Sequence, residues 1–332
     1  MVAMRRMILV VVVAACGGED PADPASLPPS LVFVSPGPGQ AFTRDSLDDI
    51  GALVAAVPVE VAIEGAPARV ALSVGGRELA TLDAAGLATA TVGLAGPATL
   101  TATAFDAAGG VVATADVAVT IGDPEIAGCH AWLDLYGIEY TVGPVRPGVD
   151  DPVTAMMPIN GIPYAYAGTP RTTMFGDCTL FRSLAEAAPS LRARNIVEVT
   201  DLGVYNYRCI GSVGTPPDCP NGISQHAFGN AIDLAMFEDA DGETYNVTTD
   251  WVIDPADDTC TAATTGAKDQ LLHELICELK SRNVWNIVLT PNYNAAHRDH
   301  FHVDLTAGSD FIERTTAGAG VRGPRSTDAH DH

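Results

Sequence analysis

The sequence runs to 332 residues, 47% hydrophobic and 18% charged, which supplies one large or two smaller cores and excludes a wholly disordered chain. Lys and Arg number 18 against 41 Asp and Glu, a net charge of −23 that argues against any partner held by phosphate neutralisation, nucleic acid above all. No run of about 18 apolar residues occurs, so hydropathy offers no membrane-spanning helix.

Arg5 and Arg6 precede a short apolar run, Met7 to Ala15, the layout of a secretory signal. The run ends in Val13-Ala14-Ala15-Cys16, which resembles a bacterial lipobox, with Val13 where leucine is usual. That resemblance implies a signal peptide over 1–15, lipidation of Cys16, and a chain held at a bacterial cell envelope, periplasmic or at the surface, that touches the membrane through this anchor only. The Gly-, Asp-, Pro- and Ser-rich residues 16–29 read as a flexible tether.

Residues 30–122 contain no Cys, His or Trp. Short runs alternate apolar and polar residues: Val59, Val61 and Ile63; Val70, Leu72 and Val74; Leu100, Ala102 and Ala104; Val117, Val119 and Ile121. Glycine pairs such as Gly75-Gly76 and Gly109-Gly110 separate them, so the stretch predicts an all-β sandwich. Thr99 to Gly109 resembles the late strands of bacterial immunoglobulin-like domains. Such a module serves as spacer or adhesive, and no group in it is equipped for chemistry.

Residues 123–310 carry all the tryptophans and six cysteines. Helices are predicted over 177–188, closed by Pro189, and over 266–282, where Leu271, Leu272, Leu275, Ile276 and Leu279 form one stripe. Strands are predicted within 196–207 and at 285–289. The mixture lacks a repeating βαβ rhythm and predicts an α+β domain built on an antiparallel sheet. In an exported chain the six cysteines read as disulfides. Of 15 connectivities, pairing sequence neighbours gives Cys129–Cys178, Cys209–Cys219 and Cys260–Cys277. Residues 311–332 read as a disordered tail.

Two short segments carry the chemistry. In Ser224 to Leu234, Asp233 lies on the strand face opposite Ile232 and Leu234, and a carboxylate there is costly unless paired or bound to a metal. In His297 to Leu305, His300, His302 and Asp304 share a face, with Phe301, Val303 and Leu305 opposite. If the two strands are neighbours, His226, Asp233 and His302 converge on one ion. Two imidazoles and one carboxylate with an open fourth position is a catalytic zinc arrangement.

The pattern Ser224-x-His226-x-x-Gly229-x-Ala231-x-Asp233, followed by His300-x-His302, resembles the metallopeptidase clan of D-Ala-D-Ala carboxypeptidases, lysostaphin-type endopeptidases and the hedgehog fold. Together with Tyr207-Arg208-Cys209 and Asn292 to Asp304, it is most similar to the bacterial extensin-like C-terminal domain family, over roughly residues 129–306. The resemblance implies zinc bound by His226, Asp233 and His302. It implies Asp299 as the base that deprotonates water, and His300 as stabiliser of the tetrahedral intermediate or sharer of the base role. Arg208 either binds a terminal carboxylate or oxyanion or forms a structural ion pair. Ser224 and His297 support substrate or ligands, and Asp304 either orients a ligand histidine or caps the strand.

The function expected is hydrolysis of peptidoglycan stem peptides by a zinc D,D-carboxypeptidase or endopeptidase. Two alternatives stay open: a non-catalytic zinc module that recognises wall peptides or a protein, and a surface adhesin whose sandwich carries the function.

Overall fold

The computed structural model describes residues 28–254 and 259–313. The apolar run, Cys16, most of the tether and the tail beyond 313 lie outside the described residues. The chain is mostly β with few helices, and it divides into two compact units.

Among the described residues, the first unit comprises 28–43 and 55–122. One of its sheets pairs Ser30–Ser35 and Leu87–Val92 with opposite edges of Leu53–Glu64. The other runs Gln40–Thr43, Val111–Gly122, Gly96–Phe105, Arg69–Val74, Arg77–Thr81. Period-two alternation sets which side chains face inward. Val57, Val59 and Val61 are buried while Ala56, Pro58 and Glu60 are exposed. They join Leu72, Leu100, Ala102 and Val119 in one apolar cluster between the sheets, a sandwich-like arrangement.

The contiguous range 30–122 expected for this domain is interrupted. Residues 44–54 belong to the second unit, where Leu53 enters the core and the Gly51 carbonyl accepts a hydrogen bond from Asn160 Nδ2 at 2.9 Å. Alternation along a strand tells which face is greasy but not which core receives it.

The second unit is built on an eight-stranded sheet. Its order is Thr169–Pro170, Tyr164–Tyr166, Ile196–Asp201, Ala231–Asp239, Phe301–Asp304, Ile287–Leu289, Phe311–Glu313, with Thr244–Asn246 also paired to Ala231–Asp239. The expected antiparallel sheet is mixed instead. Tyr164–Tyr166 runs parallel to Ile196–Asp201, and Ile287–Leu289 parallel to Phe311–Glu313. A parallel pair needs a long crossover, and the first one holds the helix Cys178–Arg192, so one βαβ unit exists that the sequence rhythm hid. The tail expected to be disordered from 311 begins instead with a strand.

That helix also runs through Pro189 rather than stopping there. Proline removes the N–H that would reach the carbonyl four residues back, at Ala185. Asn160 Nδ2 donates to that carbonyl at 2.9 Å and takes the place of the missing bond. The helix Ala267–Ser281 buries Leu272, Leu275, Ile276 and Leu279, as the stripe requires. Of the strand or strand pair expected within 196–207, one strand forms and ends at Asp201, and 202–207 form a loop with Leu202 and Tyr207 exposed.

All three neighbour disulfides are present, with Cα separations of 6.0, 5.2 and 5.6 Å. Each removes unfolded-chain entropy, worth about 2–4 kcal/mol. Among the described residues no helix is long and apolar enough to cross a membrane.

Candidate metal centre

Asp233 and His302 meet because their strands are antiparallel neighbours in direct register. Directly opposed residues have Cβ atoms about 5 Å apart. On the other face Ile232, Phe301 and Val303 are wholly buried and lock that register. His226 arrives differently. Ser224 to Phe228 reads as strand by sequence, but Gln225–Phe228 is a 3-10 turn that ends at Gly229 with φ 68°. A Cβ at Gly229 would lie 2.8 Å from the Asp177 backbone nitrogen, so only glycine permits the reversal that returns His226 over Asp233.

The three ligand atoms form a near-equilateral triangle. His226 Nε2 lies 3.1 Å from Asp233 Oδ1 and 3.1 Å from His302 Nδ1, and His302 Nδ1 lies 3.0 Å from Asp233 Oδ1. Outer partners fix which nitrogens carry hydrogen. His226 Nδ1 donates to the Val204 carbonyl at 2.8 Å, and His302 Nε2 donates to Asp304 Oδ2 at 3.0 Å. In the neutral imidazoles the inward nitrogens are therefore bare. Two nitrogen lone pairs and a carboxylate oxygen face one point and repel unless a cation lies among them.

Protons alone express the same demand. Burial would lower the His302 imidazole, but hydrogen bonds to Asp233 and Asp304 outweigh it and push it up to about 9. Burial would raise Asp233, yet hydrogen bonds with His226 and His302 hold its carboxyl well below the usual range. Zinc fits this donor set. Ligand atoms about 2.0–2.1 Å from a tetrahedral zinc stand about 3.3 Å apart, and two imidazoles with one carboxylate leave a position open. The other grouping of potential ligands among the described residues, Cys129, Asp151 and Cys178, offers no thiolates because its sulfurs are joined in a disulfide.

The remaining sequence-derived residues fall around the triad. Asp304 is buried and orients His302, as well as accepting from the Thr306 N–H. His300 Nε2 lies 3.4 Å from Asp233 Oδ1. Asp299 is 58% exposed and its Oδ1 meets His300 Nδ1 at 2.7 Å rather than the triad. The short aspartate thus reaches the site only through the imidazole, and the group that faces the triad is His300. The His297 ring lies tilted 5.3 Å from His300 and edge-on 5.9 Å from His302, with Nδ1 on Asn294 Oδ1, and burial first, then His300 and His302, push it down to about 4. Ser224 is buried at the head of the turn, its backbone N–H bonded to the Arg208 carbonyl.

A cleft of about 420 Å³ opens beside the triad, lined by His226 and Asp233 and by Arg146, Arg171 and Arg208. Arg171 pairs with Asp201, which is wholly buried. Burial pushes the Asp201 carboxyl up to about 6, against the pull of Arg171. Arg171 Nε and Asp201 Oδ1 have no hydrogen-bond partner. Sequence reasoning missed Arg146, Arg171, Asp201 and the orienting carbonyl of Val204. Asp201 had a signal, since it is a carboxylate on an apolar strand just as Asp233 is. The others lie in segments without a motif.

Residues 148–312 match the family described as "Extensin-like protein C-terminus". The C-terminal region is therefore extensin-like, and the match spans the triad, its outer partners and the cleft lining apart from Arg146. No curated protein matches the chain. Among solved structures, Clostridium thermocellum CbhA fibronectin(III)-like modules align at 16% identity over 28% of this chain and 94% of theirs, with a TM-score of 0.23. The Bacteroides ovatus mixed-linkage glucan utilization locus protein SGBP-B, solved with a mixed-linkage heptasaccharide, aligns at 12% identity over 71% of this chain and 51% of its own, with a TM-score of 0.20. At those scores neither likeness bears on fold or function.

Proposed function

We propose that the second unit has a zinc peptidase fold and hydrolyses peptidoglycan stem peptides, as a D,D-carboxypeptidase or endopeptidase. In this reading the chain is held at a bacterial cell envelope through lipidated Cys16, and the sandwich-like unit is a spacer. The observation that carries it is the convergence of His226 Nε2, His302 Nδ1 and Asp233 Oδ1 at 3.0–3.1 Å beside an arginine-lined cleft.

Those three atoms would hold the zinc. The chemistry zinc supplies at such a site is Lewis-acid polarisation of a peptide carbonyl and acidification of water. His300 stands next to Asp233 and holds or accepts a proton at Nε2, while Asp299 Oδ1 fixes Nδ1–H and the ring's orientation. The base role expected of Asp299 passes to His300, with Asp299 acting through it. Arg208 lines the same cleft without an acidic partner among the described residues, and binds the substrate's terminal carboxylate or the developing oxyanion. Asp304 and the Val204 carbonyl hold the two ligand imidazoles in the tautomers that bind.

A second reading, zinc-dependent recognition without turnover, is favoured by the outward position of Asp299. One experiment separates the two. The oxidised chain is titrated with zinc and incubated with purified muropeptides, with and without chelator, and the products are read by mass spectrometry. Chelator-sensitive loss of a terminal alanine, or splitting of cross-linked dimers, is expected. Stoichiometric zinc with unchanged muropeptides would replace catalysis by recognition, and absence of zinc binding would sink both.

A further inference from the structure

Arginine is scarce in this acidic chain, and five of the nine described arginines of the second unit are held in ion pairs, Arg44 with Asp123 among them. Arg171 pairs with Asp201, Arg182 with Glu186, and Arg194 and Arg282 with Glu278. Of the four that are not, Arg192 and Arg298 lie outside the cleft lining, and Arg146 and Arg208 are part of it. Both line the cleft beside the triad, and among the described residues neither has a carboxylate within ion-pair reach. Arg208 already has a task in the proposed reaction. Arg146 has none.

Arg146 is not a loose surface side chain. Its guanidinium lies 4.9 Å from the centre of the Phe175 ring and 5.4 Å from that of Tyr205. The two rings meet edge to face at 5.4 Å, and the Tyr205 hydroxyl donates to the Pro147 carbonyl at 3.0 Å, next to Arg146 itself. Phe175 belongs to the strand Thr173–Asp177, which is tied into the helix Cys178–Arg192, and Tyr205 to the loop that delivers the Val204 carbonyl to His226. The guanidinium is thus positioned by aromatic faces, which leave its planar N–H edge free. That edge matches a carboxylate in two-pronged fashion, and aromatic support lowers the ordering cost of using it.

A peptide with one free C-terminal carboxylate needs one arginine. A cleft with two unpaired arginines on different segments is built for two anionic groups. Building on the peptidase reading above, we infer that the cleft selects peptides bearing a second carboxylate, on a side chain or branch away from the scissile bond, and that Arg146 is the residue that reads it. Arg146 is a specificity determinant: it binds the substrate and takes no part in bond breaking.

The test uses the full oxidised chain stripped of metal, so that binding is read without turnover. Two synthetic peptides with free C-termini are compared by calorimetry, identical except that one carries Glu where the other carries Gln. The acidic peptide is expected to bind about tenfold tighter, the scale of one charge-assisted hydrogen-bonded pair. Arg146→Gln should erase that preference, while Arg146→Lys should keep part of it. Arg208→Gln should weaken both peptides alike and preserve their ratio. With zinc restored, the preference should appear in KM and not in kcat. Equal affinity of the wild-type chain for both peptides, or a preference that survives Arg146→Gln, would overturn the role of Arg146 and leave the peptidase reading standing. If neither peptide binds with zinc absent or restored, both readings fall.

Discussion

The first unit buries only apolar side chains, whereas every buried polar or charged side chain of the described residues lies in the second. Among its described residues the first unit also has no disulfide, no histidine and no tryptophan, and its surface pair Arg69–Glu78 sits in solvent at 43% and 47% exposure. The second buries Asp201, His226, His300 and Asp304 and carries three cross-links. A sandwich made of valine and alanine can be stable without specialised groups. Burying carboxylates and imidazoles costs free energy unless they are paired or bound to a cation, so their confinement to one unit marks where the proposed chemistry would take place. The disulfides in that same unit offset part of the cost.

The sharpest way to break this comparison is to remove a ligand. His226→Ala should abolish stoichiometric zinc binding and all chelator-sensitive hydrolysis while the tryptophan spectrum stays native. Retained zinc at one per chain, measured by atomic emission, would remove the triad from the account.

Next in size is the buried ion pair. Asp201 faces Arg171, the Gly203 backbone and, more distantly, Asp233, and burial raises it to about 6. Its contribution to stability is therefore fully present below the ordinary carboxylate value and is lost as pH rises through about 6. Arg171→Met removes the main counter-charge, so the loss should steepen. The variant should be destabilised by about 3 kcal/mol at pH 8 and by less than about 1 kcal/mol at pH 4, where Asp201 is neutral. All three tryptophans lie in the second unit, so denaturation followed by their fluorescence reads that unit by itself. A penalty independent of pH would show that Arg171 acts through packing.

Asp304→Asn tests the outer support of the site. It weakens the acceptor that keeps the proton on His302 Nε2, and zinc affinity should fall about 10–100-fold with the fold intact. An unchanged affinity would reduce Asp304 to a cap for the Thr306 N–H. The smallest effect belongs to the first unit. Arg69→Met should change stability by less than about 0.5 kcal/mol, since exposed pairs are screened and entropically costly. A loss as large as that of Arg171→Met, seen by far-ultraviolet circular dichroism, would erase the contrast between the units.

Much of the site was legible in the sequence. Period two placed Asp233 and His302 on strand faces opposite the core, and the spacing around them named His226. Neighbour pairing of the cysteines matched the three disulfides. The orientation of Asp299 was not legible, because whether an adjacent carboxylate reaches an ion or its neighbouring imidazole depends on side-chain direction within the loop. Arg146 was not legible either, since its meaning comes from Phe175 and Tyr205, which are far from it in sequence.

By itself the sequence determined local matters: which faces are apolar, where glycine permits a reversal, which residue types can hold a metal. These are settled by neighbours along the chain. Only the tertiary structure decided the register that sets Asp233 opposite His302, the parallel pairings at the flanks of the sheet, the passage of a helix through Pro189 with Asn160 in place of the missing donor, and the transfer of residues 44–54 to the second core. Each of these depends on a partner distant in sequence, and no local preference encodes which distant backbone group or apolar surface will be there to meet it.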